Sequence, residues 1–373
     1  MSTIDVIEFF AGSGLVTEGL GQNFSVVWAG DLSEKKEQIY CQNHGYKHFH
    51  RVDIATQTGK DLPEAELVWA SFPCQDLSLA GKIGGIDAAR SGMFWEWLRV
   101  LDEMPTPPKV VCLENVVGLL SSGGGQDYQR LHLALEKRGY RVGPLLLDAM
   151  EWLPQSRRRV FIVGVLNSVD CYHLQSFVSD WPHPTAVKNV AIGLKNLIWW
   201  QLPRPQKRPK RLSEILEWDA EVFDKERTHQ LLNLIPNRHQ MRMEQISKAA
   251  ERAVFPGYRR TRSGKQVLEL RFDDCSGCLR TAEGGSSRQF LILWSDGKWS
   301  ARLLTQREVA ALMGAPLNYK LPLNYNDSYS AMGDAVAVPV VRHIAQHLLR
   351  PLVEALPYPN GPLQEAEHFC LRA

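Results

Sequence analysis

Ile4-Asp5-Val6-Ile7-Glu8-Phe9-Phe10-Ala11-Gly12-Ser13-Gly14-Leu15 opens the chain on an apolar run, a glycine-rich turn and the start of a helix. Ile4–Phe9 reads as a buried strand and Leu15–Leu20 as the helix after it. Glycines at that junction let backbone approach a ligand closely at a helix N-terminus. Asp31 ends a second strand, 19 residues after Gly12. An acidic residue there commonly binds the ribose hydroxyls of a nucleoside cofactor. Asp53, in Val52-Asp53-Ile54, closes a third apolar stretch and suits the adenine end of such a ligand. NAD, FAD and adenosylmethionine all use a turn of this kind. Thr17 stands where the last glycine of G-x-G-x-x-G would fall, which tilts against a dinucleotide. A glycine turn needed only for packing is the other reading of the same residues.

Outward from this stretch, short apolar runs alternate with helical ones. Ser25–Ala29 is a strand, Ser33–Asn43 a helix, and Leu67–Ala70, Val110–Leu113 and Val160–Val165 are further buried strands. That alternation predicts an α/β fold with a doubly wound, mostly parallel sheet covered on both faces. From about Trp181 the pattern breaks. Pro203–Arg211 combines proline with basic residues, as a linker or an irregular basic surface would. Beyond it, Leu212–Glu221 and Met241–Val254 read as helices. Val267–Phe272 and Phe290–Trp294 read as strands, with a turn between them at Gly284–Ser287, and a last helix runs from Val340 to Leu349. The expected division is an α/β domain over 1–181, a second, smaller mixed domain over 182–325, and a return to the first over 326–373.

The chain has 373 residues, of which 44% are hydrophobic and 23% charged, the balance of a soluble globular protein. No apolar run is long enough for a membrane span and nothing at the start reads as a signal peptide, so a cytoplasmic protein is expected. Seven scattered cysteines do not suggest a disulfide framework. The net charge of +2 hides an asymmetry: residues 182–300 hold 21 Lys and Arg against 13 Asp and Glu. A basic segment between acidic flanks is either a polyanion-binding surface or a solvated face. Cys275-Ser276-Gly277-Cys278 lacks a second pair at metal-binding spacing, so no metal is expected.

Three short motifs carry chemistry. Pro73-Cys74-Gln75 lies just past the strand Leu67–Ala70, where open α/β sheets place their ligands. A cysteine there is a nucleophile or a small buried hydrophobe. Leu113-Glu114-Asn115-Val116 also ends a strand, so Glu114 projects toward the same edge, where a carboxyl group can hold or donate a proton to a ring nitrogen. Gln155-Ser156-Arg157-Arg158-Arg159 precedes Val160–Val165. In an extended segment Arg157 and Arg159 point one way and Arg158 the other, and two guanidiniums on one face suit a phosphate or a base carbonyl.

With these motifs in this order, the sequence resembles the DNA (cytosine-5)-methyltransferases of the bacterial modification type over nearly its whole length. The resemblance rests on Phe10-Ala11-Gly12-Ser13-Gly14, Pro73-Cys74-Gln75, Glu114-Asn115-Val116 and Gln155–Arg159. After a variable basic region come Arg302-Leu303-Leu304-Thr305-Gln306-Arg307-Glu308 and Gly333-Asp334-Ala335-Val336. It implies an adenosylmethionine-dependent methyltransferase fold and a double-stranded DNA substrate. Cys74 would attack carbon 6 of a flipped-out cytosine, Glu114 would contact its N3, and Arg159 would support the base carbonyl with Arg157 and Gln155 nearby. S-adenosyl-L-methionine would be held by Phe10, Ala11, Gly12, Ser13, Gly14, Asp31, Leu32, Asp53, Ile54, Pro73 and Met93, and by Asp334, Ala335 and Val336.

The composition of Leu77–Gly85 suits a mobile loop closing over DNA. Gln75 just before it, and Ser78 and Lys82 within it, would meet DNA, as would Arg259, Arg260, Arg262, Lys265, Arg280 and Arg288 of the region corresponding to the family's target-recognition domain. The sequence departs from the family pattern at Glu8, usually Asp, and at Asp334 and Ala335, usually Asn and Ser. The resemblance further implies a monomer with a separate cognate restriction endonuclease or none. Three alternatives remain: a transfer-RNA cytosine methyltransferase on the same motifs, a non-catalytic DNA-binding relative, and a nicotinamide-dependent oxidoreductase sharing only the cofactor turn.

Overall fold

The structure, a computed structural model, describes residues 3–73, 92–178, 181–205, 211–281 and 288–357. Its larger sheet has seven strands: β1 (Ile4–Phe9), β2 (Phe24–Asp31), β3 (Phe49–Arg51), β4 (Leu67–Ala70), β5 (Val110–Val116), β6 (Tyr140–Asp148) and β7 (Arg158–Leu166), in the order β3-β2-β1-β4-β5-β7-β6. The first five are parallel, and β7 runs antiparallel to both its neighbours. Every residue of β4 is buried, as expected for a central strand covered on both faces. Strand order reverses between β1 and β4. The crevice outside their carboxyl ends is where such sheets bind ligands.

Alternation along β1 divides the core. Ile4 and Val6 pack into the layer that holds Leu15, Val16 and the C-terminal helical segment Val338–Glu354, while Ile7 and Phe9 join Phe94, Trp97, Leu131 and Leu135 on the other face. A Cβ on Gly19 would sit 2.5 Å from Val341 Cβ, so glycine there lets the C-terminal helix pack directly on helix Leu15–Leu20.

A second, antiparallel sheet contains β8 (Ala253–Arg262), β9 (Lys265–Leu270), β10 (Phe290–Ser295) and β11 (Lys298–Leu303), ordered β11-β10-β8-β9. Its two tight hairpins turn at Ser263-Gly264 and Asp296-Gly297, which adopt left-handed φ at each position, the two-residue turn that matches strand twist. Phe255, Leu268, Phe290 and Ile292 pack against Leu231 and Ile235 near helix Lys225–Asn233 and Met243 of helix Asn237–Ala249.

Several expected elements differ. Leu212–Glu221 forms only one 3-10 turn, Leu212–Glu214. The expected helix Met241–Val254 is Asn237–Ala249; Ala250 turns extended and Val254 belongs to β8. The final helix starts at Val338 and widens into a π turn at Ala345–Leu349. The turn placed at Gly284–Ser287 lies outside the described residues, and β10 pairs with β8, not β9. β6 gave no strand signal because Gly143-Pro144 interrupts it; at the edge of the sheet that proline is tolerated.

Candidate active site

The chain leaves β1 through Phe10, whose φ of 56° lies in the left-handed region, and through Gly12 and Gly14, with φ of 57° and 84°. A Cβ on Gly14 would come within 2.6 Å of the His44 ring, so only glycine fits. Asp31, at the end of β2, holds the turn: its carboxylate accepts from Gly12 N and from Ser33 N, each at 2.9 Å. The far end of the chain closes over it, since Ser13 Oγ donates to Ala331 O and the Tyr319 hydroxyl donates to Ser13 O.

Beneath the turn, Glu8 is buried. Its Oε2 accepts from Thr17 Oγ1 at 2.5 Å, and hydroxyl contacts continue through Tyr40 to His48. Burial pushes the Glu8 carboxyl up to about 8; the Thr17 hydroxyl opposes this and the charge of Asp31 adds to it.

A cavity of about 330 Å³ opens at the reversal point of the sheet. Its wall brings together Phe10, Ala11, Gly12, Ser13, Asp31, Leu32, Asp53, Ile54, Pro73, Met93, Asp334, Ala335 and Val336, with Glu114 and Arg159 on the same wall. Gly14 shapes the turn without lining the cavity. The sequence reading missed Trp28, Gly30, Lys36, Val52, Gln57, Ser71 and Phe72. Trp28 and Gly30 share one face of β2, and a Cβ on Gly30 would fall 2.3 Å from the indole, so glycine lets the ring lie beside the cavity. An aromatic-x-glycine end to a strand that precedes an acidic residue was the available signal.

Glu114 and Arg159 meet through strand pairing. Arg159 lies opposite Val116 in the β5–β7 ladder, so Glu114 is its diagonal neighbour on the same face. Arg159 Nε stands 3.0 Å from Glu114 Oε1, and both side chains are nearly buried. Burial raises the Glu114 carboxyl above its ordinary range, against the pull of Arg159 and Arg157. Asn115 donates to Phe72 O at 3.3 Å, fixing the backbone that leads through Pro73 into Cys74. Cys74, Gln75, Ser78 and Lys82, with the segment Leu77–Gly85, lie outside the described residues.

Arg157 and Gln155 stand behind the wall. Arg157 is buried and donates to the carbonyls of Leu279, Gly333 and Ala335 at 2.9, 2.8 and 2.6 Å. Gln155 donates to Leu312 O and accepts from Leu279 N. Arg157 therefore ties the start of β7 to Gly333 and Ala335 of the cavity wall, and Gln155 ties it to Leu279 and Leu312 behind that wall. Arg158, one residue away, is exposed.

The expected DNA-facing arginines are spread over the small sheet and its edge. Arg259 lies over the Phe290 ring and Arg260 over Tyr258. Arg262 pairs with Glu269 at 2.7 Å, and Arg288 reaches Asn326 Oδ1 at 2.5 Å. The Arg280 backbone packs so closely on Gly333 that a Cβ there would lie 2.6 Å from it.

The profile of the C-5 cytosine-specific DNA methylase family matches residues 4–350. The Type II methyltransferase M1.ScrFI of Lactococcus lactis subsp. cremoris is 27% identical over 350 residues, covering 93% of this chain and 78% of the relative. M.MspI of Moraxella sp is 25% identical over 354 residues, covering 93% and 71%. Among solved structures, the S. pombe Dnmt2 methyltransferase superposes with a TM-score of 0.63 at 20% identity, covering 94% of this chain and 99% of that one. The Entamoeba histolytica methyltransferase EhMeth gives 0.64 at 14% identity, covering 94% and 99%. These two show a shared fold.

Proposed function

Because the chain belongs to the C-5 cytosine-specific DNA methylase family, and so is a DNA (cytosine-5-)-methyltransferase, we propose that it methylates a flipped-out cytosine within a specific short duplex sequence through a covalent bond from Cys74. The observation that carries this reading is a cavity whose wall joins the Phe10–Ser13 turn, Asp31 and Asp53 to Pro73 and the Glu114–Arg159 pair.

The residues present fit S-adenosyl-L-methionine. The turn has the left-handed glycine that close backbone approach requires, Gly30 leaves room for a flat indole wall, and the cavity volume suits a small ligand. Phe10, Asp31, Asp53, Ile54, Met93 and Val336 would hold it. When bound, it supplies an electrophilic methyl group.

Carbon 5 of cytosine is a poor nucleophile. Addition of the Cys74 thiolate to carbon 6 makes it enamine-like and able to take the methyl group. Glu114, kept protonated more readily by burial, donates a hydrogen bond to N3 as the ring gains electron density. Arg159, held 3.0 Å from Glu114, would support the base carbonyl. Loss of the proton from carbon 5 to a base then expels the thiolate and restores the ring. The base must first leave the duplex, at a cost of a few kcal/mol.

Residues 182–325, which hold the small sheet and the basic surplus, would form the target-recognition domain, with Arg259, Arg260, Arg262, Arg280 and Arg288 its candidates for phosphate or guanine contacts. Bisulfite sequencing of DNA from cells expressing the protein tests the proposal, giving the modified cytosine and its context. Cys74→Ala should abolish the signal. Equal methyl incorporation into transfer RNA and duplex DNA would instead favour an RNA substrate.

A further inference from the structure

Lys35 and Lys36 begin the helix Glu34–His44, and each pairs with an aspartate of the helix Tyr325–Asp334. Lys35 Nζ lies 2.8 Å from Asp327 Oδ1, and Lys36 Nζ lies 3.2 Å from Asp334 Oδ2. The two aspartates are about two helical turns apart, on one face. The rungs differ in surroundings. Lys35 is 72% exposed, whereas Lys36 is 29% exposed and lines the cavity together with Asp334. Burial alone would lower the Lys36 ammonium; the charges of Asp31 and Asp334 outweigh it and hold Lys36 protonated. Asp31 acts on Lys36 through its charge while its oxygens hold Gly12 N and Ser33 N; Asp334 meets the ammonium directly, at 3.2 Å, and aims it.

A lysine held on a cavity wall by a counter-ion matches a ligand that carries a carboxylate. We propose that Lys36 is a further cofactor-binding residue whose ammonium receives the carboxylate of the amino-acid end of adenosylmethionine, with Asp334 as its resident counter-ion. This rests on the reading that the cavity binds that cofactor. The arrangement also accounts for an aspartate at 334, where the family usually has asparagine: the added charge has a partner in this chain whether or not ligand is bound.

The test is titration calorimetry of the full chain with S-adenosylhomocysteine and with 5′-methylthioadenosine, which share the adenosyl thioether and differ in the amino-acid end. Lys36→Met, which keeps the aliphatic stem, should weaken S-adenosylhomocysteine roughly tenfold or more, as loss of a charge-assisted hydrogen bond does, and leave 5′-methylthioadenosine unchanged. Lys36→Arg should recover most of the loss, and Lys35→Met, which breaks only the outer rung, should bind both ligands as the parent does. Equal weakening of both ligands by Lys36→Met, or equal effects of Lys35→Met and Lys36→Met, would reduce the pair to helix docking and overturn the proposal. So would unchanged affinity in Lys36→Met. Failure of the parent protein to bind either ligand would remove the cofactor reading itself, and the proposal with it.

Discussion

Replacing Glu8 by glutamine should stabilise the protein at neutral and alkaline pH. Glu8 is 1% exposed and its carboxyl is pushed from 4.5 to about 8, chiefly by burial. Between those values the folded chain keeps a proton that the unfolded chain has lost. Stability is therefore fully present below pH 4.5 and declines as pH rises, by about 1.4 kcal/mol per unit, until the folded carboxyl ionises near 8. At pH 7 the accumulated loss is roughly 3 kcal/mol, a large share of a typical folding free energy. Glutamine has the same shape, carries no charge and can still accept from Thr17. Half-buried His44 and buried His132, both lowered to about 4 chiefly by desolvation, act in the opposite sense and only as pH falls below their unfolded value of 6.5. In the window from pH 6.5 to 8 the histidines drop out, and the Cys278 thiol, whose burial Arg157 and Arg159 outweigh to lower it, is common to both proteins and cancels in the comparison. Glu114, also raised by burial, contributes in the same direction in both proteins and cancels in the comparison. Urea denaturation across that window should show parent stability falling with pH and a shallower fall for Glu8→Gln, with the variant more stable throughout. If the two proteins lose stability in parallel, the Glu8 carboxyl is not held protonated by its burial.

Arg157→Met should destabilise the fold by about 3–5 kcal/mol, because two buried carbonyls and one part-buried carbonyl lose their donor, and should weaken cofactor binding through Gly333 and Ala335; urea denaturation and calorimetry measure both, and a variant as stable as the parent would refute it. Glu114→Gln should lower kcat by about 10²–10⁴-fold with cofactor affinity unchanged, and parent activity should decline on the alkaline side as the raised Glu114 carboxyl ionises, seen in a pH–rate profile. Gly333→Ala places a Cβ 2.6 Å from the Arg280 backbone and should cost about 1–3 kcal/mol together with cofactor affinity, whereas an unchanged melting temperature would show that this contact yields freely.

The strand–helix alternation was legible wherever a strand is central and buried on both faces. Leu67–Ala70 was read to the residue, because four consecutive apolar side chains admit no other placement between two helical layers. The edges were not legible. Phe49–Arg51 is three residues long, with two exposed, and Tyr140–Asp148 contains glycine and proline. Both take their strand identity from a neighbour's unpaired backbone. The direction of β7 was hidden for a related reason: nothing in Val160–Val165 distinguishes a parallel from an antiparallel partner, and the hairpin-like return from β6 decides it. In the basic region, helix expectations failed where hydrophobic runs straddle an element boundary, as at Ala249–Val254.

At the site, the sequence pointed to residues at strand ends, because those positions follow from topology. It missed residues that reach the cavity from a helix, such as Lys36, or from inside a strand, such as Trp28. It also grouped Gln155 and Arg157 with the residues proposed to face the base, since periodicity gives the direction of a side chain and says nothing of what lies in its path. Here the path is filled by the carbonyls of Leu279, Gly333 and Ala335. The departures from the family pattern acquire meaning only from such partners. Ala335 lacks a hydroxyl, yet its carbonyl is what Arg157 holds. The longer side chain of Glu8 reaches Thr17 on the following helix. Asp334 adds a charge where Lys36 already stands. Each departure sits beside a residue of this chain that engages it, Asp334 and Ala335 on the cavity wall and Glu8 beneath the turn, so none of these positions can be judged without its partner.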